Sequence, residues 1–454
     1  MVWAMPGLIV SPVSTVSRRR FLATLWAVVA VALCAAPLVV EWLSPARLGG
    51  FIWVFGVALG SAGFALGGLQ FLLTGRFRRA TAPFGIDLVY LVHRWAAVAA
   101  LLLLCAHAGI LWINNPAAVG GARPWTASGA ILAGWISLAL FLLLVVSALA
   151  RRALRWEYDG WRRAHAALAL VATGAGLFHV VGVVAPQGRV VAIVVWLGLG
   201  ALWLGSLFHV RLLRPWALAR HPYAVTAVER VGARTWTVRV AASRGEAIRF
   251  RPGQFAWLTL RAGPFAGAEH PFSFSGSAEA RSELSFTIKE LGDFTGTIGS
   301  VRVGELAYVD GPYGAFTPDR HPEASGWVLI AGGVGLAPMM SILRTFADRG
   351  ERRPVLLVCA HRTDASRLFV AELQALERRL SLTVVPVLEE PPAGWAGECG
   401  RVTVDLLRRV WPADATGREC FLCGPVPMTR AVSRALREIG VSGRNIHVEL
   451  FDMA

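Results

Sequence analysis

The stretches LVYLVHRWAAVAALLLLCAHAGILW (residues 88–112) and AHAALALVATGAGLFHVVGVVA (residues 164–185) decide the fold of this chain. Each is an apolar run long enough to cross a membrane as a helix. The first carries His93 and His107 and the second carries His165 and His179, 14 residues apart in both cases. At about 100° and about 1.5 Å per residue, this spacing completes nearly four turns and rises roughly 21 Å. Both histidines of a helix therefore share one face, one near each side of the membrane.

The matched histidine pairs predict two metal centres stacked across the bilayer. Two such helices packed face to face can bring His93 to His165 and His107 to His179. Imidazole is an axial ligand of haem iron, and a porphyrin fits between facing helices, so we expect two haem b groups. A lone intramembrane histidine, such as His209, is more simply a polar residue satisfied within a bundle. Two pairs of equal spacing indicate function, because polar groups are costly in lipid.

Composition divides the chain into a membrane half and a soluble half. Of its 454 residues, 55% are hydrophobic and 16% charged, and only four of the 29 acidic residues lie between Phe21 and Leu213. The net charge of +16 is nearly all arginine. Such a charge suits a nucleic-acid partner, but much of the excess lies in the membrane loops and no basic helix occurs. We therefore expect the lipid bilayer as a partner and no nucleic acid.

Six apolar stretches are long enough to span a membrane, and arginine-rich gaps alternate with gaps almost free of basic residues. The positive-inside rule then puts the N-terminus and the soluble half in the cytoplasm of a multi-pass inner (plasma) membrane protein, with His93 and His165 nearer the cytoplasm. Arg18, Arg19 and Arg20 resemble a twin-arginine export signal, but the charge alternation favours an uncleaved first helix. The predicted spans are 21–43, 51–73, 88–112, 128–149, 164–185 and 190–212.

Beyond residue 222 the pattern changes to short alternating runs with glycine and proline breaks, which predicts a small antiparallel β-barrel. The motif HPFSFS (residues 270–275) follows a strand and offers an aromatic ring for a planar ligand and hydroxyls for its ring nitrogens. The motif IKELGDFT (residues 288–295) offers a cation, a glycine and a helix-start hydroxyl, which suit a diphosphate.

The last third of the chain alternates between strands and helices. An apolar run from Trp327 to Ile330 precedes AGGVGLAP (residues 331–338) and a helical stretch, the strand–glycine turn–helix order that binds a pyrophosphate. The motif CGP (residues 423–425) closes the final strand. Cys420 and Cys423 have redox spacing but no second CxxC to complete a zinc site, so metal binding there is not expected.

Taken in order, the paired-histidine helices, HPFSFS, IKxxGxxT, GPYG, AGGVGxAP, CGP and a late aromatic resemble the NADPH oxidase and ferric reductase family. The resemblance runs from about residue 20 to the C-terminus, and the soluble half resembles the ferredoxin–NADP⁺ reductase superfamily. It implies a multi-domain membrane protein with a six-helix bundle, an antiparallel β-barrel and a Rossmann-like α/β domain. The implied divisions are a cytoplasmic tail (1–20), a transmembrane di-haem domain (21–214), a FAD-binding domain (215–320) and a NAD(P)-binding domain (321–454).

The resemblance also implies roles for individual residues. Phe272 would lie against the flavin with Ser273 near its N5. Cys423 would approach the nicotinamide, and Glu449 and Phe451 match the family's late acidic and aromatic residues. His270 and Pro271 would make further contacts with the flavin. The FAD diphosphate would be bound by Lys289, Gly292 and Thr295. The pyrophosphate of the nicotinamide cofactor would be bound by Gly332, Gly333, Gly335 and Pro338. From their position after the second strand of this domain, Arg362 and Arg367 either bind a 2′-phosphate, which would favour NADPH over NADH, or are surface arginines of an arginine-rich chain.

Three features depart from the family. Ala100 and Ala172 stand midway between the histidines, so an aromatic bridge between haems must come from elsewhere. Leu111 follows His107 by one turn, where oxygen-reducing members have a polar residue. Three residues follow Phe451, so a strictly terminal aromatic is absent.

The implied activity is a flavocytochrome oxidoreductase, of the NAD(P)H oxidase or ferric-chelate reductase type. Electrons would pass from cytoplasmic NAD(P)H through FAD and two haems to a ferric chelate, dioxygen or a periplasmic redox protein, with Leu111 favouring iron over oxygen. One alternative is a six-helix transporter or receptor with a cytoplasmic nucleotide-sensing domain and no haem. Another is a flavin reductase that is merely anchored in the membrane.

Overall fold

The computed structural model describes residues 12–43, 50–75, 86–121, 123–151, 153–412, 415 and 417–450. The chain divides into two compact units, Met1–Arg214 and Pro215–Ala454.

Within its described residues, the first unit contains six helices that are long and apolar enough to cross a membrane, as the sequence predicts. Three boundaries differ from the prediction by six residues or more. The fifth helix begins at Tyr158 instead of residue 164. The first helix is already helical from Pro12, within the predicted tail, and the sixth continues through a π-helical turn (His209–Leu213) into a short helix α7 (Arg214–Ala219). The six helices are α1 Pro12–Leu43, α2 Phe51–Leu73, α3 Ile86–Asn114, α4 Gly129–Ala150, α5 Tyr158–Val184 and α6 Val190–Phe208.

Glycine allows α2 to lie directly against α3. Gly56, Gly60 and Gly63 are buried along one stripe of α2, and a Cβ at Gly63 would stand 3.0 Å from the carbonyl oxygen of Ala100. Small residues at helical spacing let two backbones approach closely in lipid, where packing replaces the hydrophobic effect as the driving force. The sequence therefore fixes which face of α2 meets α3.

The second unit begins with a six-stranded antiparallel sheet of order β4-β3-β6-β1-β2-β5. A single bridge between Phe274 and Phe286 links the segment after β4 to β5 at the opposite edge, so the sheet curves toward a barrel. The motif HPFSFS follows β3 along the chain, and its first four residues form strand β4. The strands are β1 Tyr223–Gly232, β2 Thr235–Ala242, β3 Phe255–Leu260, β4 His270–Ser273, β5 Glu283–Lys289 and β6 Leu306–Tyr313.

A parallel six-stranded sheet of order β10-β9-β8-β7-β11-β12 follows, as expected for a Rossmann-like domain. The strand order reverses between β7 and β11, and ligands of such sheets bind at the carboxyl ends of the strands at this switch point. The strands are β7 Trp327–Gly332, β8 Val355–Thr363, β9 Leu382–Glu390, β10 Glu398–Cys399, β11 Glu419–Gly424 and β12 Ile446–Leu450. The helices are α8 Leu336–Arg349, α9 Val370–Glu377, α10 Val404–Val410 and α11 Val426–Glu438.

Candidate functional site

His107 and His179 face each other within the helix bundle. Their ring centroids are 6.5 Å apart and the ring planes are inclined by 69°. His107 Nδ1 lies 2.8 Å from the backbone carbonyl oxygen of Gly56 on α2, and His179 Nδ1 lies 2.8 Å from that of Ala130 on α4. The structure thus brings together one of the two pairs that the sequence predicts, and holds both rings in the same way.

These two hydrogen bonds decide which ring nitrogen carries the proton. A carbonyl oxygen only accepts, so Nδ1 must be the donor in both rings, and Nε2 of the neutral imidazole is left with a free lone pair. Metal-ligating histidines commonly donate their other ring N–H to a carbonyl or carboxylate, which fixes the ring and makes the ligand nitrogen more basic. Both His107 and His179 are therefore set up to bind a metal through Nε2.

A glycine lies beneath each of these rings. A Cβ at Gly60 would stand 2.5 Å from His107 Nδ1, and a Cβ at Gly134 would stand 2.7 Å from His179 Nδ1. Each glycine is four residues after the hydrogen-bonding carbonyl on the same helix. The pairs α2–α3 and α4–α5 are therefore built alike, and any side chain larger than hydrogen at either glycine would displace its histidine.

A cavity of about 580 Å³ opens beside this pair, and both histidines and both glycines line it. Its wall also includes Leu111, Phe64 and a bidentate ion pair between Arg189 and Glu41, whose two contacts measure 3.1 and 2.6 Å. The cavity lies entirely within the first unit. The sequence places Arg189 in a gap otherwise free of basic residues but does not reveal its pairing with Glu41, 148 residues away.

His93 and His165 form the second pair. The His165 ring lies 4.9 Å from that of Trp161. Nδ1 of both rings is buried without a hydrogen-bond partner among the described residues. Arg94 is exposed beside Trp95, while Arg162 lies over the Tyr158 ring and 4.0 Å from Asp159.

The middle of the bundle holds an aromatic cluster. Ala100 and Ala172 are almost fully buried there, at 1% and 0% exposure. Phe64 of α2 packs against Trp196 and Trp203 of α6 at ring-centroid distances of 5.5 and 5.6 Å. The aromatic side chains that the two histidine helices lack at this level therefore come from α2 and α6.

In the antiparallel sheet, the predicted flavin residues gather around one aromatic group. The His270 ring stacks on Phe294 at a centroid distance of 3.9 Å, and Phe272 lies 6.1 Å from Phe294 in a near-parallel orientation. Pro271 lies between them in the edge strand β4, where its missing N–H costs no ladder hydrogen bond. Ser273 Oγ is buried without a hydrogen-bond partner among the described residues. The sequence did not single out Phe294, although it stands within IKELGDFT.

The predicted diphosphate residues form a turn after β5. Thr295 Oγ1 accepts hydrogen bonds from the backbone N–H groups of Leu291 and Gly292 at 2.8 and 2.9 Å. The hydroxyl thus shapes the turn rather than standing free for a ligand. Lys289 and Gly292 are exposed.

At the switch point of the parallel sheet, the glycine turn and the CGP motif lie against one another. A Cβ at Gly335 would stand 2.2 Å from the carbonyl oxygen of Cys423, and one at Gly332 would stand 2.5 Å from Met428 Sδ. Gly333 has a φ of +56°, a conformation that favours glycine. Pro338 is buried in the first turn of α8. Close packing and the turn itself therefore require glycine at these positions.

Cys423 and Glu449 are paired in register on neighbouring strands β11 and β12. Cys423 has 0% exposure and Glu449 has 8%. Phe451 lies outside the described residues. Cys420 packs in the core on the opposite face of the sheet from Cys423, so the two thiols point apart.

Both arginines predicted to bind a 2′-phosphate have carboxylate partners. Arg362 Nε lies 2.9 Å from Glu390 Oε1, and an Arg367 terminal nitrogen lies 3.1 Å from Asp364 Oδ1. Each of these contacts uses one nitrogen of a guanidinium group that carries five N–H donors.

Comparison with protein families divides the chain in the same way. Residues 59–176 match the family model "Ferric reductase like transmembrane component", and residues 329–434 match "Oxidoreductase NAD-binding domain". The first range lies within the first compact unit and the second range lies within the second.

Curated relatives match the second half. The reductase component of propane 2-monooxygenase from Rhodococcus jostii is 32% identical over 236 residues, which are 50% of this chain and 62% of that protein. NADH-cytochrome b5 reductase 1 from Kluyveromyces lactis is 31% identical over 175 residues, which are 37% of this chain and 61% of that protein. This chain thus spans less than two thirds of either relative.

Among solved structures, an Amycolatopsis cytochrome P450 reductase matches 51% of this chain and 69% of its own at 26% identity, with a TM-score of 0.46. The chain joins a ferric reductase-like transmembrane component to an oxidoreductase NAD-binding domain, which is the fused architecture of the ferric reductase and NADPH oxidase type.

Proposed function

We propose that the protein is a transmembrane oxidoreductase that transfers electrons from cytoplasmic NAD(P)H, with FAD and two haem b groups as carriers, to an acceptor on the outer face of the plasma membrane. The observation that carries the proposal is the matched pair His107 and His179. Both rings donate Nδ1–H to a backbone carbonyl, both rest on a glycine, and both line one cavity. A polar residue that merely fills a bundle has no need of this repeated arrangement.

The residues present fit a haem at His107 and His179, since both Nε2 atoms are free to ligate and a cavity of about 580 Å³ lies beside them. At His93 and His165, two buried Nδ1 atoms without partners are costly in an apolar bundle, and a bound group that engages the rings would explain their retention. When bound, FAD accepts a hydride and releases electrons singly, and haem carries one electron at a time.

The residues of β4 and the turn after β5 would bind and orient the flavin. Phe272, His270 and Phe294 provide nearly parallel rings on which a planar ring can stack. Ser273 Oγ has a free hydrogen-bonding position for a flavin nitrogen. Thr295 holds the turn beside Gly292 open to solvent, where Lys289 can neutralise a diphosphate.

The glycine turn after β7 would hold the pyrophosphate of the nicotinamide cofactor. It leads directly into the N-terminus of α8, whose dipole favours an anion. Cys423 and Glu449, side by side at the carboxyl ends of β11 and β12, would position the nicotinamide. Phe451 follows Glu449 by two residues in the sequence. NADPH and NADH are both candidates, since Arg362 and Arg367 each have a carboxylate partner that competes with a 2′-phosphate.

The acceptor would be reduced at the haem edge. His107 and His179 would both hold the haem, which would supply electron transfer to an acceptor that does not bind the metal. Leu111, at 7% exposure, gives the wall of the cavity one turn beyond His107 an apolar side chain. A leucine side chain at this position offers no hydrogen bond to reduced oxygen, which favours a ferric chelate over dioxygen. A periplasmic redox protein is the third candidate.

The reduced-minus-oxidised absorption spectrum of the detergent-purified protein tests the proposal. Two haems per chain are expected, and His107→Ala and His165→Ala should each lower the haem content while the flavin is retained. His221→Ala, at an exposed histidine outside both pairs, is the matched control. A colourless protein would support the transporter or receptor alternative, and flavin without haem would support an anchored reductase.

The acceptor is then identified by comparing NAD(P)H consumption with ferric chelate against superoxide formation in air. Faster chelate reduction is expected. Superoxide formation as the main reaction, with little chelate reduction, would contradict the argument from Leu111.

A further inference from the structure

A second group of metal-ligating side chains lies in the parallel-sheet domain, outside every site described above. It consists of His321, Glu419 and His447, whose ligand atoms all lie within 4.8 Å of one another. His447 Nε2 lies 2.7 Å from Glu419 Oε2, and His321 Nδ1 lies 3.5 Å from Glu419 Oε1. The two imidazole rings therefore engage opposite oxygens of one carboxylate.

The three residues come from three separate segments. Glu419 is the first residue of β11, and His447 is the second residue of β12, directly opposite Phe421 in the register. His321 ends the short 3₁₀ turn Pro318–Arg320 that precedes β7. The group thus lies at the amino ends of β11 and β12, the edge opposite the glycine turn and Cys423.

An aromatic ring restrains both histidines. The His447 ring lies 4.8 Å from that of Phe421, the His321 ring lies 6.1 Å from it, and the two imidazoles are 4.3 Å apart. The ligand-bearing rings therefore have a fixed apolar support on one side. Their side chains are 25% and 22% exposed, and that of Glu419 is 15% exposed, so solvent reaches the other side.

We propose that His321, Glu419 and His447 form a binding site for a divalent transition-metal ion of the Zn²⁺ type. Two imidazole nitrogens and one carboxylate are a common zinc ligand set, in which water fills the fourth tetrahedral position. Nitrogen and oxygen ligands without thiolate also exclude the softer copper(I). The bound ion replaces the hydrogen bond between His447 and Glu419 and ties the segment before β7 to β11 and β12.

A hydrogen-bonded His–Glu–His cluster without any ligand is the simpler alternative. This alternative accounts for the 2.7 Å contact between His447 and Glu419. It does not explain why a second histidine, His321, also lies at the same carboxylate. It also predicts that added metal neither binds nor stabilises the protein, so the two possibilities are separable by experiment.

The test uses the full chain in detergent with its cofactors bound, after removal of metals by chelator. Isothermal titration with Zn²⁺ should show one site per chain, and Zn²⁺ should raise the melting temperature. Glu419→Gln and His447→Gln should each weaken zinc binding by at least about tenfold, whereas His221→Gln, at an exposed histidine, should leave it unchanged. Equal zinc affinity in all four proteins would overturn the proposal.

Co²⁺ binding to the unmutated protein keeps the test decisive if the variants do not fold, which size-exclusion elution reveals. Visible d–d bands without sulfur-to-metal charge transfer are expected, since the site contains no cysteine. Absence of Co²⁺ and Zn²⁺ binding to the unmutated protein, or bands that show thiolate ligation, would equally overturn the proposal.

Discussion

Replacing Gly134 by alanine tests how the bundle orients His179. The new Cβ would stand 2.7 Å from His179 Nδ1, whereas ordinary van der Waals contact begins at about 3.4 Å, so the ring must move by several tenths of an ångström. The Nδ1 contact with the Ala130 carbonyl is 2.8 Å and has little room to lengthen before the hydrogen bond weakens.

The expected loss follows from that hydrogen bond. A typical intramolecular hydrogen bond contributes about 0.5–1.5 kcal/mol net, and loss of the outer partner of a metal-ligating histidine lowers metal affinity about 10–100-fold. We therefore expect Gly134→Ala to lower the binding affinity of the haem held by His179 by about 10–100-fold. Gly60→Ala should do the same through His107, because its Cβ would stand 2.5 Å from that ring.

The assay is haem content per chain by pyridine haemochrome, after dialysis against a haem-binding competitor. Gly174→Ala is the matched control: it lies on the same helix as His179, and no atom lies within 4 Å of its added Cβ. If Gly134→Ala keeps both haems with the affinity and spectrum of the unmutated protein, the assigned role of the glycine is refuted.

Three further predictions concern the second unit. Burial and the nearby Arg367 charge lower the pKa of His361 from 6.5 to about 4, so protonation favours the unfolded chain. The stability should be level above about pH 6.5 and should fall as the pH drops to 4, with His361 contributing up to about 3 kcal/mol of this loss. Melting temperatures should show a smaller fall in His361→Asn than in the unmutated protein, and an equal fall would contradict the burial of this ring. Arg344→Ala breaks two 2.7 Å contacts with Glu372 and one of 2.6 Å with the Ser275 carbonyl. Calorimetry should show that the free energy of unfolding falls by about 2 kcal/mol. An unchanged free energy of unfolding would contradict these contacts. Ser273→Ala should weaken FAD binding about 2–10-fold without lowering the stability of the FAD-free protein, because Ser273 Oγ makes no hydrogen bond within the described chain. Unchanged FAD affinity together with a less stable FAD-free protein would exclude a flavin contact.

The sequence predicts most of the bundle because its signals lie within single helices. Apolar length gives six spans, and the 14-residue spacing places His93 with His107, and His165 with His179, on one face of each helix. Periodicity says nothing about the neighbouring helix, so the carbonyls of Gly56 and Ala130 could not be predicted. Gly60 and Gly134, each four residues later, are a signal that comparison of the two helix pairs would have found.

In the soluble half, prediction was weakest for short elements. Strand β4 has only four residues, one of them Pro271, and a proline argues against a central strand; here it is tolerated because β4 is an edge strand. The contact of His321 with Glu419 and His447 joins residues far apart in sequence and is visible only once β11 and β12 are paired. Such tertiary pairings lie beyond any local pattern.

Reduction of a trapped acceptor tests the central claim most directly, since it requires that electrons cross the bilayer. The protein is reconstituted in vesicles that enclose a membrane-impermeant ferric chelate, and NADPH or NADH is added outside. We expect the enclosed chelate to be reduced, and His107→Ala to abolish this reduction while flavin reduction continues. Reduction of external chelate alone, with the enclosed chelate untouched, would contradict electron transfer across the membrane.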